Sequence, residues 1–294
     1  MANGILPAAA LVPATYGLLS VADVTVTTDA DYQWQQGFAA QFNSRPQLIR
    51  LLNRHTGIVP DGTVYDAGDH PMPQFEDIEP FYIELVYKGS SFGLSWEDKV
   101  EQIKDQLRAA SGKAVEFELW TGASAIDNQP DTSKVQSFLT LSGDKAATVL
   151  GSGGVSPKKA LSLIEGAIAN SPTGGGGVIH VTRDLGSILT LQGAIKDVDG
   201  HLETVLGTKV AIGSGYIGNG PGTDQDTATD SSKWMFATGP VSVWMGEPEV
   251  VQEDAARAFK SSTNDVNITA LRPAGIYFDP SIFYGVQIAI PDAP

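Results

Sequence analysis

The chain has 294 residues, 42% of them hydrophobic and only 18% charged, so it has apolar material for a sizeable core and is not a disordered polyelectrolyte. Asp plus Glu number 34 against 19 for Lys plus Arg, and the net charge of −15 disfavours tight DNA or RNA binding through phosphates. There is no cysteine, which removes disulfides, thiolate nucleophiles, thiolate zinc sites and iron–sulfur clusters; the 32 glycines predict many turns or close backbone packing.

Met1 to Ala22 is apolar but carries no Lys or Arg, so it lacks the positive start of a signal peptide. Pro7 and Pro13 would break a spanning helix, and no segment offers ~20 uninterrupted apolar residues, so no transmembrane helix is expected. With no obvious partner in its own chain, this arm is expected to pack against a neighbouring subunit. Val24 to Thr27 is strand-like. A short helix is predicted around Tyr32 to Gln41, where Trp34, Phe38 and Phe42 recur at spacing four. Its apolar face suits either its own core or an intersubunit anchor.

Residues 45–93 alternate turns with short apolar runs. Pro60-Asp61-Gly62 is a turn signal, and 67–73 is too rich in Gly, Asp and Pro for regular structure. Phe81 to Tyr87 is a strand by its aromatic and β-branched content. Strands joined across such turns make a long hairpin that need not pack on the main body. Next comes the strongest helix, 95–121, with Ser95 as cap and Asp98 three residues on. Trp96, Val100, Ile103, Leu107, Ala110, Ala114 and Phe117 predict one apolar seam along about 40 Å of helix. Thr121-Gly122 ends it.

Gly151 to Gly154 is a candidate domain boundary. A helix starts at Ser156-Pro157 and runs to about Ala169, with Pro at its first position. Strands are expected at Val178 to Val181, Thr208 to Ile212, Trp234 to Met245 (one long strand or a pair), Val266 to Phe278 with a Pro interruption, and Phe283 to Ile290. Asp184 to Leu191 reads as a helix, and Asp224, Asp226 and Asp230 as a solvated loop. Helices and strands mix without a regular βα repeat, so the fold class is α+β.

Two motifs resemble chemistry. Gly213-Ser214-Gly215-Tyr216-Ile217-Gly218 matches the dinucleotide fingerprint, but that needs a helix next, and Asn219-Gly220-Pro221-Gly222 forbids one. A glycine-rich turn is expected instead. Gly89-Ser90-Ser91-Phe92-Gly93 matches a nucleophile elbow between strand and helix. Ser91 would then need a histidine base, and only His180 and His201 lie downstream. His55, His70, His180 and His201 are isolated, and are read as surface or turn residues rather than ligands. No catalytic, cofactor-binding or metal constellation emerges.

The order of elements resembles the major capsid proteins of tailed bacteriophages, the Hong Kong phage-type fold shared with encapsulins. Phe81 to Gly93 leading into Ser95 to Trp120, ending Val115-Glu116-Phe117-Glu118-Leu119-Trp120-Thr121-Gly122, looks like the family's spine helix and its entry. Lys233 to Val241 looks like its axial-domain strand, and Asn264 to Pro280 like its closing strand into the peripheral domain. Met1 to Leu19 looks like the arm of actinobacterial phage capsid proteins.

The resemblance implies a structural, non-enzymatic subunit with no cofactor. It implies an N-terminal arm at 1–44, an extended E-loop at 45–93, a peripheral domain at 94–155 and 246–294, and an axial domain at 156–245. The Gly213 to Asp230 loop would be an axial tip. Implied partners are many copies of the chain itself, as hexamers and pentamers, with a separate scaffolding protein, a portal and a decoration protein. Packaged double-stranded DNA would be held only non-specifically, no membrane is involved, and the site of action is the virion, assembled in the host cytoplasm. Trp34, Phe38, Phe81 and Tyr87, with Gly218 and Gly220, are the expected intersubunit contacts. The resemblance also raises a cross-link, made in some members between an E-loop Lys and a peripheral-domain Asn; Lys88, the only Lys before residue 99, would sit near the hairpin's base rather than its tip, so no covalent cross-link between subunits is expected. An encapsulin-type compartment and a serine hydrolase using Ser91 are the rival readings.

Overall fold

The computed structural model describes residues 14–27, 38–41, 48–53, 57–66, 75–90, 95–129, 131, 135–171, 176–222, 228–229, 231–252, 258–260 and 265–290. A 3-10 turn, Leu18–Ser20, leads into strand β1 (Asp23–Thr27). Strands β2 (Phe38–Gln41) and β5 (Phe75–Ile78) pair with each other, β3 (Leu48–Asn53) and β4 (Gly57–Asp66) form a second two-stranded ribbon, and β6 (Phe81–Ser90) follows. Helices α1 (Trp96–Thr121) and α2 (Ala123–Asn128) follow, then β7 (Thr148–Val149), α3 (Pro157–Ala169), β8 (Val178–Thr182) and α4 (Arg183–Leu191). The rest is β9 (Ile195–Val198), β10 (His201–Thr204), β11 (Lys209–Gly213), β12 (Ser232–Thr238), β13 (Val241–Gly246), β14 (Glu249–Val250), β15 (Phe259–Lys260), β16 (Asp265–Phe278) and β17 (Phe283–Ala289).

Two sheets organise the main body. In the six-stranded sheet β16 is the spine: β6 runs antiparallel along it from Ser90 opposite Asp265 to Phe81 opposite Ala274. β13, β14 and β15 also pair with β16, and β1 joins β13 in parallel. The seven-stranded sheet has the order β7-β17-β12-β8-β11-β10-β9. Its strands alternate between two environments, as a period of two demands. Ile179, Val181, Val210, Ile212, Met235 and Ala237 face the core beneath α3 and α4. Val178, Ala211, Trp234 and Phe236 face the larger core that includes α1.

Helix α1 carries the capping expected of it: the Ser95 side chain accepts from the Asp98 amide at 3.1 Å. Gly122 ends it in the left-handed region (φ 62°), where its lack of a Cβ removes the usual steric penalty. The apolar seam departs from expectation after Leu107. The buried positions become Ser111, Val115 and Leu119, together with Glu116, Glu118 and Trp120, while Ala110 and Phe117 are exposed. Ser111, Val115 and Leu119 continue from Leu107 at spacing four, Glu116, Glu118 and Trp120 widen the buried face, and Ala114 of the expected seam still packs partly against the core. Arg272 of β16 donates to Ser111 Oγ at 3.0 Å and to the Gly246 carbonyl at 2.7 Å, so a serine lies where an alanine was expected.

Four further expectations change. Residues 38–41 form a strand, not the end of a helix, because their backbone pairs with β5, Phe38 opposite Ile78. Pro60-Asp61-Gly62 makes a bulge rather than a turn: β4 advances from Ile58 to Thr63 while β3 advances only from Leu52 to Arg50. β16 runs through Pro273 without interruption, since Gly246 on the neighbouring strand leaves room for the ring. The arm does have a partner in its own chain: Leu18 is fully buried, Val21 nearly so, and β1 extends the six-stranded sheet. The 67–73 segment, the Asp224, Asp226 and Asp230 loop, and residues 1–13 lie outside the described residues.

Sheet membership also divides the expected 246–294 block. β16 belongs with β13, but β17 pairs along β12 in the other sheet, from Phe283 opposite Thr238 to Ala289 opposite Ser232. The Trp234 to Met245 run is a strand pair that changes sheets at Gly239-Pro240.

Candidate assembly surfaces

The expected contact residues divide by position. Trp34 lies outside the described residues; Phe38 is on β2, whose backbone pairs with β5. Phe81 is buried in the chain's own core rather than presented to a neighbour, and Tyr87 packs partly against the same core. Strand alternation explains both: Phe81, Ile83, Leu85 and Tyr87 point inward. The outward face of β6 carries Tyr82, 52% exposed, and Val86.

Gly218 and Gly220 are buried too. The described part of the segment after β11, residues 214–222, folds back on α1 and β12: Trp120 Nε1 donates to the Asn219 carbonyl at 3.2 Å, and the Trp234 amide donates to the Gly218 carbonyl at 2.9 Å. A Cβ on Gly220 would stand 2.3 Å from the Trp234 indole, so this glycine serves close packing within the chain. No helix follows Gly218 through Gly222, as the rejection of a nucleotide site required.

Among the described residues, the most exposed large apolar side chains lie elsewhere. Leu191, 86% exposed, ends α4; Leu206, 77% exposed, and Val205 form the β10–β11 turn. Thr204 pairs with Ile195 just after α4, so both groups sit at one end of the seven-stranded sheet. Single exposed apolar residues are ordinary, but three large ones gathered at a turn and a helix end mark a surface suited to a partner.

His180, read from the sequence as a surface or turn residue, is fully buried. Its Nε2 lies 2.8 Å from Thr238 Oγ1, and its Nδ1 2.9 Å from the Tyr216 hydroxyl. Thr238 spends its own proton on the Gly239 carbonyl at 2.9 Å. It must therefore accept from His180 Nε2–H, which leaves Nδ1 to accept from Tyr216. Desolvation lowers the imidazole pKa to about 3 and pushes the Tyr216 phenol well above its ordinary value. With both nitrogens engaged, His180 offers no free base to Ser91, which lies outside the described residues. His201 Nε2 is 3.0 Å from Glu203 Oε1 on its own strand.

Two buried carboxylates escaped the sequence reading. Glu118 Oε1 and Oε2 accept the Ala125 and Ser124 amides, both at 3.0 Å, and so satisfy the first turn of α2. Burial raises its pKa against the opposing pull of those two bonds. Glu116 accepts the Leu18 amide at 2.9 Å and the Gly215 amide at 2.8 Å, tying three distant parts of the chain together. Acidic residues inside a helical pattern carry no local sign that their partners are backbone amides far along the chain.

No protein family and no curated protein matches the chain by sequence. Solved structures do match by shape. The capsid of an empty GTA particle is 12% identical and covers 98% of this chain and 92% of that one, at a TM-score of 0.52. The capsid of Ralstonia phage GP4 is also 12% identical, covering 100% and 97%, at 0.52. The capsid of a native GTA particle is 11% identical, covering 98% and 93%, at 0.51. The chain has the Hong Kong phage-type capsid fold. The expected α+β class and capsid fold hold, on matches that span nearly the whole of both chains.

Proposed function

We propose that the protein is the major capsid subunit of a tailed phage, assembling as many copies into an icosahedral shell around double-stranded DNA. The observation that carries this reading is the match to shell subunits over nearly the full length of both chains. In this reading α1 with the six-stranded sheet is the peripheral domain. The seven-stranded sheet with α3 and α4 is the axial domain, β17 included. Residues 38–78 belong to the E-loop.

The work of such a subunit is geometric. Two-stranded ribbons such as β3–β4 are marginal alone in water, so docking on a neighbouring copy would stabilise them. Apolar area buried at each contact contributes roughly 25 cal/mol per Å², repeated around every symmetry axis. The net charge of −15 suits a container that holds its genome without gripping it. A separate scaffolding protein, a portal and a decoration protein complete the proposed partner set, with the virion as the place of action.

Leu206→Asp tests the axial contact. The side chain is mostly exposed, so the variant should keep the parent's melting temperature within about 2 °C. Shell yield in sedimentation should fall by at least about tenfold, as expected when a charge is left facing an apolar contact. Normal yield of shells from a folded variant removes Leu206 from the contact.

A further inference from the structure

We infer that Tyr16 to Thr27 is a strap that fixes the two sheets relative to each other, with the Glu116 carboxylate as its latch. At one end the strap is tied to the seven-stranded sheet. The Ile212 amide on β11 donates to the Tyr16 carbonyl at 2.8 Å, and the Tyr16 hydroxyl donates to Asp197 on β9. At the other end β1 pairs in parallel with β13 of the six-stranded sheet, Asp23 opposite Ser242 through Thr27 opposite Gly246. Between them Leu18 and Val21 enter the larger core.

The latch lies at the crossing point. Glu116 is almost fully buried on α1. One of its oxygens accepts the Leu18 amide of the strap. The other accepts the Gly215 amide, at 2.8 Å, and the Ser214 hydroxyl, at 3.3 Å, just past β11. A single carboxylate therefore joins the strap, the long helix and the end of a strand in the other sheet. Backbone fits tightly around it: a Cβ on Gly17 would stand 2.4 Å from a Glu116 oxygen, and one on Gly215 would stand 2.1 Å from the Lys113 carbonyl. Removing or reorienting this acceptor leaves buried amides without a partner, which costs more than the net worth of the bonds themselves. Displacing the strap from Glu116 loosens one sheet against the other.

The test uses the unassembled full chain, so it is independent of whether shells form. The absence of cysteine allows spin labels at two introduced positions, Glu84→Cys on β6 and Lys158→Cys on α3, both exposed. Pulsed electron spin resonance should give one narrow distance distribution in the parent and a broadened one with Glu116→Gln. Amide exchange at Leu18 and Gly215 should accelerate by on the order of ten- to a hundredfold, while the β8–β11 ladder keeps its protection. Gly17→Ala, which crowds the latch without changing its charge, should do the same. Ser214→Ala, which removes only the longest contact, should produce a smaller change and keeps the test open should Glu116→Gln not fold. An unchanged distance distribution with unchanged exchange in any folded Glu116 or Gly17 variant overturns the strap, and so does a Ser214→Ala effect equal to or larger than theirs.

Discussion

Burial holds His180 neutral, with its pKa lowered to about 3, whereas an unfolded chain protonates the same imidazole near its ordinary value of about 6.5. Between those values the unfolded state carries the extra proton, so stability is full above about pH 6.5 and falls as the pH drops toward 3, by about 1.4 kcal/mol per unit. Urea midpoints measured from pH 7 to pH 5 should therefore fall more steeply for the parent than for His180→Gln. Equal slopes would mean that His180 takes up its proton without loss of the fold. The sequence could not place this residue, because a lone histidine in an apolar strand has the same local pattern whether it faces solvent or Thr238. Phe81 shows the same limit. Alternation along Phe81 to Tyr87 announces a strand with two faces, but only its pairing with β16 decides which face meets α1. The exposed face belongs to Tyr82 and Val86.

At the scale of elements, legibility followed how local the determinants are. The Ser95 cap, the Gly122 stop and the Pro157 start are written within a turn of chain, and α1 and α3 appear where those signals put them. The seam of α1 was half legible. Ile103 and Leu107 follow from periodicity, but Ser111 is inward because Arg272, from a strand 161 residues later, hydrogen-bonds it. β2 defeated a helical spacing of aromatics because backbone pairing with β5 outweighs side-chain periodicity in so short a piece. The arm carries a direct prediction. Removing residues 1–13 is the reference, since that truncation leaves Leu18 and Val21 in place. Removing residues 1–22 also deletes Leu18 and Val21 from the core and should cost several kcal/mol, on the order of 2–5 for the Leu18 side chain alone. Equal melting temperatures for the two truncations would contradict the packing of Leu18 against α1.

For the whole molecule, the order of elements pointed to the fold before any single motif did. A long capped helix entered from an extended strand, a glycine-rich second half and late return strands together specify an architecture that none of them specifies alone. Membership of the two sheets was not legible, because β12 and β13 are consecutive and similar in composition yet pair with different strands. The glycine excess also changed meaning. At Gly215, Gly218 and Gly220 it serves packing inside the chain, and the contacts proposed with other copies move to exposed apolar side chains such as Leu191 and Leu206. The central claim, that this chain builds a shell, is tested most directly by electron microscopy of the protein expressed alone and together with a candidate scaffolding protein. Uniform closed particles with hexameric and pentameric capsomers are the predicted result, and DNA-filled rather than protein-filled particles from infected cells would separate a phage shell from an encapsulin-type compartment. A folded protein that stays monomeric under both conditions, and is absent from particles, would contradict the account.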